Sequence, residues 1–184
     1  MSGQPDNFQT IQIGVVVRRA PGATRWVKRV WHSVAVLPGA GPARWRELRR
    51  EGEAVEYHAA TLPLVLHRSE TEAYLEAITA ELPGVWVVMR RAQGTFPFEV
   101  SLVTASPYEA QDYADGGEDL VGKVAMPPGL FAWVQEFVAR QHQPQEFSKR
   151  RRKPHNAEAA QLCIGDPRIE KAADVYSAPA VHRA

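Results

Sequence analysis

The sequence is nearly devoid of cysteine, with Cys163 as its single example in 184 residues. One thiol cannot form an internal disulfide, so a hydrophobic core has to stabilise the fold. The sequence also lacks an apolar run of about 18 residues, the length that would cross a bilayer. Its first twelve residues have neither the basic nor the apolar region of a secretory signal. We therefore expect a cytoplasmic protein without a membrane span.

Motifs for catalysis and cofactor binding are missing as well. The sequence has no Gly-x-Gly-x-x-Gly, no Gly-Lys-Ser/Thr loop and no Gly-x-Ser-x-Gly elbow. Its six histidines do not have metal-ligand spacing, although His58 and His67 would approach each other if a hairpin joined them. We expect no metal, no cofactor and no catalytic residue, and a function in binding rather than catalysis.

The net charge of +1 hides a strong segregation of charge along the chain. Residues 1–104 carry 12 basic and 10 acidic side chains, residues 105–147 carry 2 and 7, and residues 148–184 carry 8 and 4. The composition predicts a single globular domain over residues 8–147, followed by a basic, flexible tail over residues 148–184. An acidic segment followed by a basic one offers surfaces of opposite sign to a partner.

Alternation of apolar and polar residues predicts that the first half is mostly strand. A hairpin is expected from the strand around 11–17 and the tryptophan-rich stretch 26–37. Two further alternating runs, 55–57 and 62–66, flank Ala59 and Ala60, and later strands are expected at 85–90, 98–104 and 120–126. The sequence predicts an α+β fold, a mostly antiparallel sheet of about six to eight strands with three helices.

Three helices are indicated by their start signals. Ser69 with Glu72 has the spacing of a capping box and predicts a helix over 70–81. Ser106 as N-cap, Pro107 at the first helical position and Glu109 three residues after the cap predict a second helix to about Ala114. Pro127-Pro128-Gly129 introduces a third, over 130–141.

Two stretches are candidate partner surfaces. On the second helix, acidic side chains recur at a spacing of three next to two tyrosines, a pattern that fits recognition, a solvated face or, less well, a divalent cation. Tryptophans beside arginines in the first hairpin fit either core packing or an interface. The candidates are Tyr108, Glu109, Asp112, Tyr113, Arg25, Trp26 and Trp31.

The third helix is apolar nearly all round, which a single sheet face cannot cover. We expect Phe131 or Trp133 to lie at a subunit contact, most simply in a two-fold homodimer.

Several segments together resemble a family of short, uncharacterised proteobacterial proteins. They are Ile13 to Arg19, Arg25-Trp26 to Trp31, Val34 to Gly39, His67-Arg68 with Glu70 to Tyr74, Thr104 to Tyr113, and Met126-Pro127 to Val134, within about residues 11–152. Members are typically encoded beside formate dehydrogenase subunits, and some are labelled molybdopterin-guanine dinucleotide biosynthesis proteins. The resemblance implies an accessory or maturation role for a molybdenum- or tungsten-dependent formate dehydrogenase, with a dehydrogenase subunit or a maturation factor as partner.

Two other functions stay open. One is an enzyme or carrier that binds the molybdopterin cofactor, with Arg18, Arg19, Arg90 and Arg91 holding its phosphate. A weaker one is nucleic-acid binding through Lys149 to Lys153, a run that has no interleaved aromatic residue.

Overall fold

The computed structural model describes residues 7–22 and 26–143. Within them, seven strands and three α-helices follow one another in the order β1–β2–β3–β4–α1–β5–β6–α2–β7–α3. The strands are β1 (Phe8–Pro21), β2 (Arg29–Pro38), β3 (Arg44–Glu51), β4 (Ala54–His67), β5 (Gly84–Arg91), β6 (Phe98–Thr104) and β7 (Asp119–Ala125). The helices are α1 (Thr71–Thr79), α2 (Pro107–Asp115) and α3 (Pro128–Gln141). The α+β class is confirmed.

The strands form two antiparallel sheets rather than one. The first has the order β2-β1-β4-β3 and the second the order β6-β5-β7. The predicted first hairpin is the β1–β2 pair, and β3 joins β4 through a two-residue turn in which Gly52 has a φ of +57°. A left-handed first turn residue fits the twist of paired strands, and glycine adopts it without strain.

The runs 55–57 and 62–66 belong to the single strand β4. Ala60 lies opposite Val15 and His58 lies opposite Val16, so Ala59 is an extra residue in the ladder. This bulge changes the phase of alternation, and both apolar runs therefore face the same side of the sheet.

One hydrophobic cluster joins the two sheets to the helices. It contains Val15 of β1 and Leu64 of β4 in the first sheet, Val87 of β5 in the second, and Tyr74 and Phe137 from α1 and α3. Since apolar burial is worth about 25 cal/mol per Å² of surface, this shared core is the main source of stability.

The helix starts differ from one another. Ser106 caps α2 as predicted, because its Oγ accepts a hydrogen bond from the Glu109 backbone N–H at 3.3 Å and Pro107 occupies the first turn. The capping box predicted at Ser69 is wrong. A 3₁₀ turn over Arg68–Glu70 moves the start of α1 to Thr71, and its N-cap Glu70 makes no side-chain capping bond.

Candidate functional site

The acidic side chains of α2 lie on an exposed surface. Asp112 and Asp115 are exposed, Glu109 is half-buried, and Ala110 on the opposite side of the helix is buried. The cap at Ser106 fixes where the helix begins and therefore which residues face outward.

Helix α1 extends this surface with two carboxylates that were not among the predicted partner-binding residues. Glu72 and Glu76 are exposed and one turn apart, and the Tyr108 hydroxyl donates a hydrogen bond to Glu76 Oε2 at 2.7 Å. That hydrogen bond, followed by the charges of Glu76 and Glu72, raises the pKa of Tyr108. We name Glu72, Glu76, Tyr108, Glu109 and Asp112 the acidic face. Neither α1 nor α2 contains lysine or arginine, so neither helix supplies a positive charge of its own.

The fourth candidate on α2, Tyr113, lies one helical turn after Glu109. It is half-buried, and its charge is among the smaller causes that raise the pKa of Arg90. The main cause is the bidentate bond from Arg90 to Asp119, with N···O distances of 2.9 and 3.0 Å.

The candidates in the first hairpin have separate environments. Trp26 is 81% exposed in the connection between β1 and β2, and the neighbouring Val27 is also exposed. Trp31 is half-buried in β2. Arg25 lies outside the described residues.

Trp31 belongs to a cluster of four aromatic rings. It stacks on Tyr57 at 6.1 Å between ring centroids and meets Trp45 edge-on at 5.7 Å. Phe96 stacks on Trp45 at 4.3 Å, so it ties the β5–β6 connection to the first sheet. Trp45 has a φ of +50°, a left-handed conformation that is unusual for a bulky residue and requires support from its surroundings.

The four arginines proposed to hold a phosphate are divided between the two sheets. Arg18 on β1 forms ion pairs with Glu56 at 3.6 Å and Glu51 at 4.0 Å. Arg19 follows it on the opposite face of the strand, with its guanidinium 5.9 Å from the Tyr57 ring centroid. Arg90 and Arg91 lie on β5 of the second sheet. A phosphate site formed by these four arginines stays a prediction.

His58 is buried in the first sheet and closes a chain of hydrogen bonds. Thr61 Oγ1 donates to the Gly41 carbonyl at 2.7 Å and lies 2.9 Å from His58 Nε2. Since the threonine proton is used on Gly41, His58 Nε2–H is the donor of the second bond. Burial, with a smaller effect of Arg46, lowers the pKa of His58.

No metal-binding group is found in the described part of the chain. Three or more histidine, cysteine, aspartate or glutamate side chains do not converge anywhere within residues 7–22 and 26–143. His58 and His67 do not face each other across a hairpin, because both lie on β4 and nine residues of strand extend about 30 Å.

On α3, one stripe is buried and two rings are left partly accessible. Leu130, Val134, Phe137 and Val138 pack into the core, whereas Phe131 and Trp133 are half-buried. Trp133 borders an open cleft of about 500 Å³ with Phe8 and Arg140. The subunit contact stays a prediction. In the described residues, α3 and the other helices are too short or too polar to cross a bilayer.

Comparison with known proteins gives a family and no activity. No match to the chain is found among the curated proteins or the solved structures. The model of one family matches residues 12–151. This range begins within β1 and includes the other six strands and the three helices. The chain therefore belongs to DUF3305, a family described as proteins of unknown function.

Proposed function

We propose that the protein is a non-catalytic accessory factor that binds a partner protein through the acidic face. The observation that carries the proposal is the joining of α1 and α2 into one surface of carboxylates without a cation from either helix. Carboxylates separated by one turn of helix repel each other weakly. A partner with lysine or arginine side chains relieves this repulsion on binding.

The exposed end of the first hairpin supports binding by a second type of contact. Trp26 and Val27 present apolar surface there, and tryptophan is enriched among the residues that dominate interface energies. Carboxylates on the helices would set association rate and orientation, and the tryptophan would contribute buried area.

The family resemblance indicates which protein the acidic face would bind. We take the partner to be a subunit of a molybdenum- or tungsten-dependent formate dehydrogenase, or a factor that matures it, in the cytoplasm of a proteobacterium. The protein would hold this partner in place during assembly. The alternative, a molybdopterin-binding enzyme or carrier, requires Arg18, Arg19, Arg90 and Arg91 at one phosphate. Arg18 and Arg19 are successive residues of β1, whereas Arg90 and Arg91 belong to β5 of the other sheet.

The test is a pulldown with the tagged full chain from cells that are assembling formate dehydrogenase. We expect a dehydrogenase subunit or maturation factor to be captured, and less of it to be captured as salt increases, because exposed charges are screened beyond a Debye length of about 8 Å at physiological ionic strength. Glu72→Gln with Asp112→Asn should reduce capture about tenfold, as loss of two interface charges commonly does.

The matched control is Glu99→Gln with Glu136→Gln, which removes the same charge from exposed positions on β6 and α3. It should leave capture unchanged. Failure to capture either class of partner with the wild-type chain would disprove the proposed client. Equal capture by the two double variants would instead disprove the role of the acidic face.

A further inference from the structure

A cleft with a basic lining lies at the end of the first sheet, where β1 leads into β2 and β3 turns into β4. It has a volume of about 640 Å³ and an open mouth. Four cations and one carboxylate are among its lining residues, which are Arg19, Ala20, Pro21, Lys28, Arg29, Arg50, Gly52 and Glu53. None of them belongs to the acidic face, although Lys28 and Arg29 directly follow Trp26 and Val27 at the end of the first hairpin.

The register of the sheet explains why residues far apart in sequence meet here. Arg19 pairs with Val55 of β4, and Val55 pairs on its other side with Arg50 of β3. Arg19 also pairs with Trp31, and Arg29 lies two residues before Trp31 on β2. Paired residues and residues two apart share a sheet face. Arg19, Arg29 and Arg50 therefore lie on the face that carries the buried Val55.

Two of the cations are held in place by neighbouring side chains. The Arg19 guanidinium lies over the Tyr57 ring, which stacks on Trp31. Arg50 makes a bidentate bond to Glu47, with N···O distances of 2.9 and 2.7 Å. The bond to Arg50 is the main cause that lowers the pKa of Glu47, and the charge of Arg19 adds to it. Glu47 is not among the lining residues, and it offsets part of the Arg50 charge.

The other two cations are not held by an ion pair within the described residues. Lys28 and Arg29 are exposed, and neither forms an ion pair with any residue that the structure describes. Glu53 is the one carboxylate that lines the cleft. The lining therefore keeps a positive excess that an anion is able to neutralise.

We propose that this cleft binds the phosphate groups of a small ligand that carries a diphosphate or a similar multiply charged phosphate ester. Arginine presents a planar fork that matches phosphate oxygens. Arg19 and Arg29 offer such forks on one face, and Arg50, whose Nε and Nη2 are bonded to Glu47, adds its remaining Nη1. The volume lies within the range of about 300 to 1,000 Å³ typical of small-molecule sites. It exceeds what a diphosphate needs, so an organic part of the ligand would share the cleft.

The geometry favours a small ligand over a nucleic acid. Single-stranded nucleic acid is bound along a continuous positive groove with aromatic stacking platforms. Here the cations converge at one end of the sheet, and the glutamates Glu47 and Glu51 interrupt the arginines of β3. The neighbouring rings of Trp31 and Tyr57 are stacked on each other.

The test is calorimetric titration of the full chain with inorganic pyrophosphate at low salt, with citrate as a carboxylate probe of similar charge. We expect saturable binding of pyrophosphate that is tighter than that of citrate. Lys28→Gln with Arg29→Gln should weaken pyrophosphate binding at least about tenfold, the size expected for losing charge-assisted hydrogen bonds. Both residues are exposed, so this variant is expected to fold.

The most closely matched pair of variants is Arg50→Gln and Arg49→Gln. These arginines are neighbours on β3, but Arg49 is bonded to Glu51 and lies beside Glu56 in a small cavity on the other face of the sheet. Arg50→Gln should weaken pyrophosphate binding at least about fivefold, and Arg49→Gln should leave it within about twofold.

Three results would overturn the proposal. Absence of heat with pyrophosphate at low salt would show that the cleft does not bind phosphate. Equal weakening by Arg50→Gln and Arg49→Gln would show non-specific attraction to the arginines of β3. Citrate binding as tight as that of pyrophosphate would show a general anion site. A pulldown with the Arg50→Gln variant should still recover the partner of the acidic face, because Arg50 lies on β3 and belongs neither to that face nor to the exposed hairpin end. This result keeps the two proposals distinguishable.

Discussion

The substitution Gly14→Ala tests the packing around the buried histidine. A Cβ at position 14 would lie 2.5 Å from His58 Nε2 and 2.8 Å from the Ala40 Cβ. Ordinary carbon contacts begin at about 3.5 Å, so the imidazole would have to move by roughly 1 Å. It is not free to do so, because His58 Nε2–H donates to Thr61, which in turn donates to the Gly41 carbonyl.

The expected cost follows from these contacts. Overpacking of a core typically costs about 1 to 3 kcal/mol, and loss of the hydrogen bond from His58 would add about 1 kcal/mol. We expect the free energy of unfolding to fall by about 2 to 4 kcal/mol. For a domain of this size the midpoint of thermal unfolding should fall by about 5 to 15 °C.

Urea unfolding followed by tryptophan fluorescence measures the effect, with Gly41→Ala as the matched control. A Cβ at position 41 would meet nothing within 4 Å, and the carbonyl that accepts from Thr61 is kept. This control should be neutral or gain up to about 1 kcal/mol, because alanine restricts the unfolded chain. If Gly14→Ala proves as stable as Gly41→Ala, the packing described around His58 is wrong.

Three further predictions concern pH, a buried hydroxyl and self-association. Because burial lowers the pKa of His58 in the folded state, the unfolded chain takes up its proton first. The free energy of unfolding should therefore fall as pH drops below about 6.5, and His58→Gln should reduce this slope in urea titrations at several pH values. Ser33 Oγ is buried with no hydrogen-bond partner in the described residues; Ser33→Ala should raise stability by about 1 kcal/mol in the same assay, and a loss of stability would indicate a bond to the hydroxyl. The full chain should sediment as a dimer and become a monomer on Phe131→Ser with Trp133→Ser, whereas a wild-type monomer at high micromolar concentration would refute the subunit contact.

The secondary structure was predictable where the local sequence determines the backbone. Ser106 and Pro107 specify the start of α2, because proline fixes φ and the serine oxygen accepts from an otherwise unpaired N–H. Ser69 has no proline after it, and the 3₁₀ turn takes up the residues expected to cap α1. A capping pattern alone therefore did not determine where the helix begins.

Two separate runs were predicted where the structure has the single strand β4. The reason is that the alternation of apolar and polar residues changes phase within this strand. Val55 and Tyr57 are odd-numbered, whereas Leu62 and Leu64 are even-numbered, so a strand without irregularity would bury one pair and expose the other. A turn and a bulge both produce this change of phase. The sequence around Ala59 does not distinguish them, and only the pairing of β4 with β1 shows the bulge.

The candidate surfaces were less accessible to prediction, because they depend on contacts between elements. The carboxylates of α2 are visible in the sequence, but their continuation onto Glu72 and Glu76 requires α1 to lie beside α2. The basic cleft depends on contacts among a larger number of elements. Arg19, Arg29 and Arg50 belong to three strands and meet only because Val55 of β4 lies between Arg19 and Arg50 in the ladder.

The bulge at Ala59 links this register to the core. If β4 continued from Leu62 to Val55 without an extra residue, either Leu62 or Val55 would point away from the core, since successive residues alternate between faces. With the bulge, Leu62 pairs with Ile13 and Val55 pairs with Arg19, and both apolar residues take the same face. Arg19 and Arg50, which flank Val55, continue this face at the end of the sheet. There the rings of Trp31 and Tyr57 cover the core, and the charged groups are in contact with solvent. The bulge at Ala59, which allows β4 to pack its apolar residues on one face, therefore also brings together the cations of the cleft.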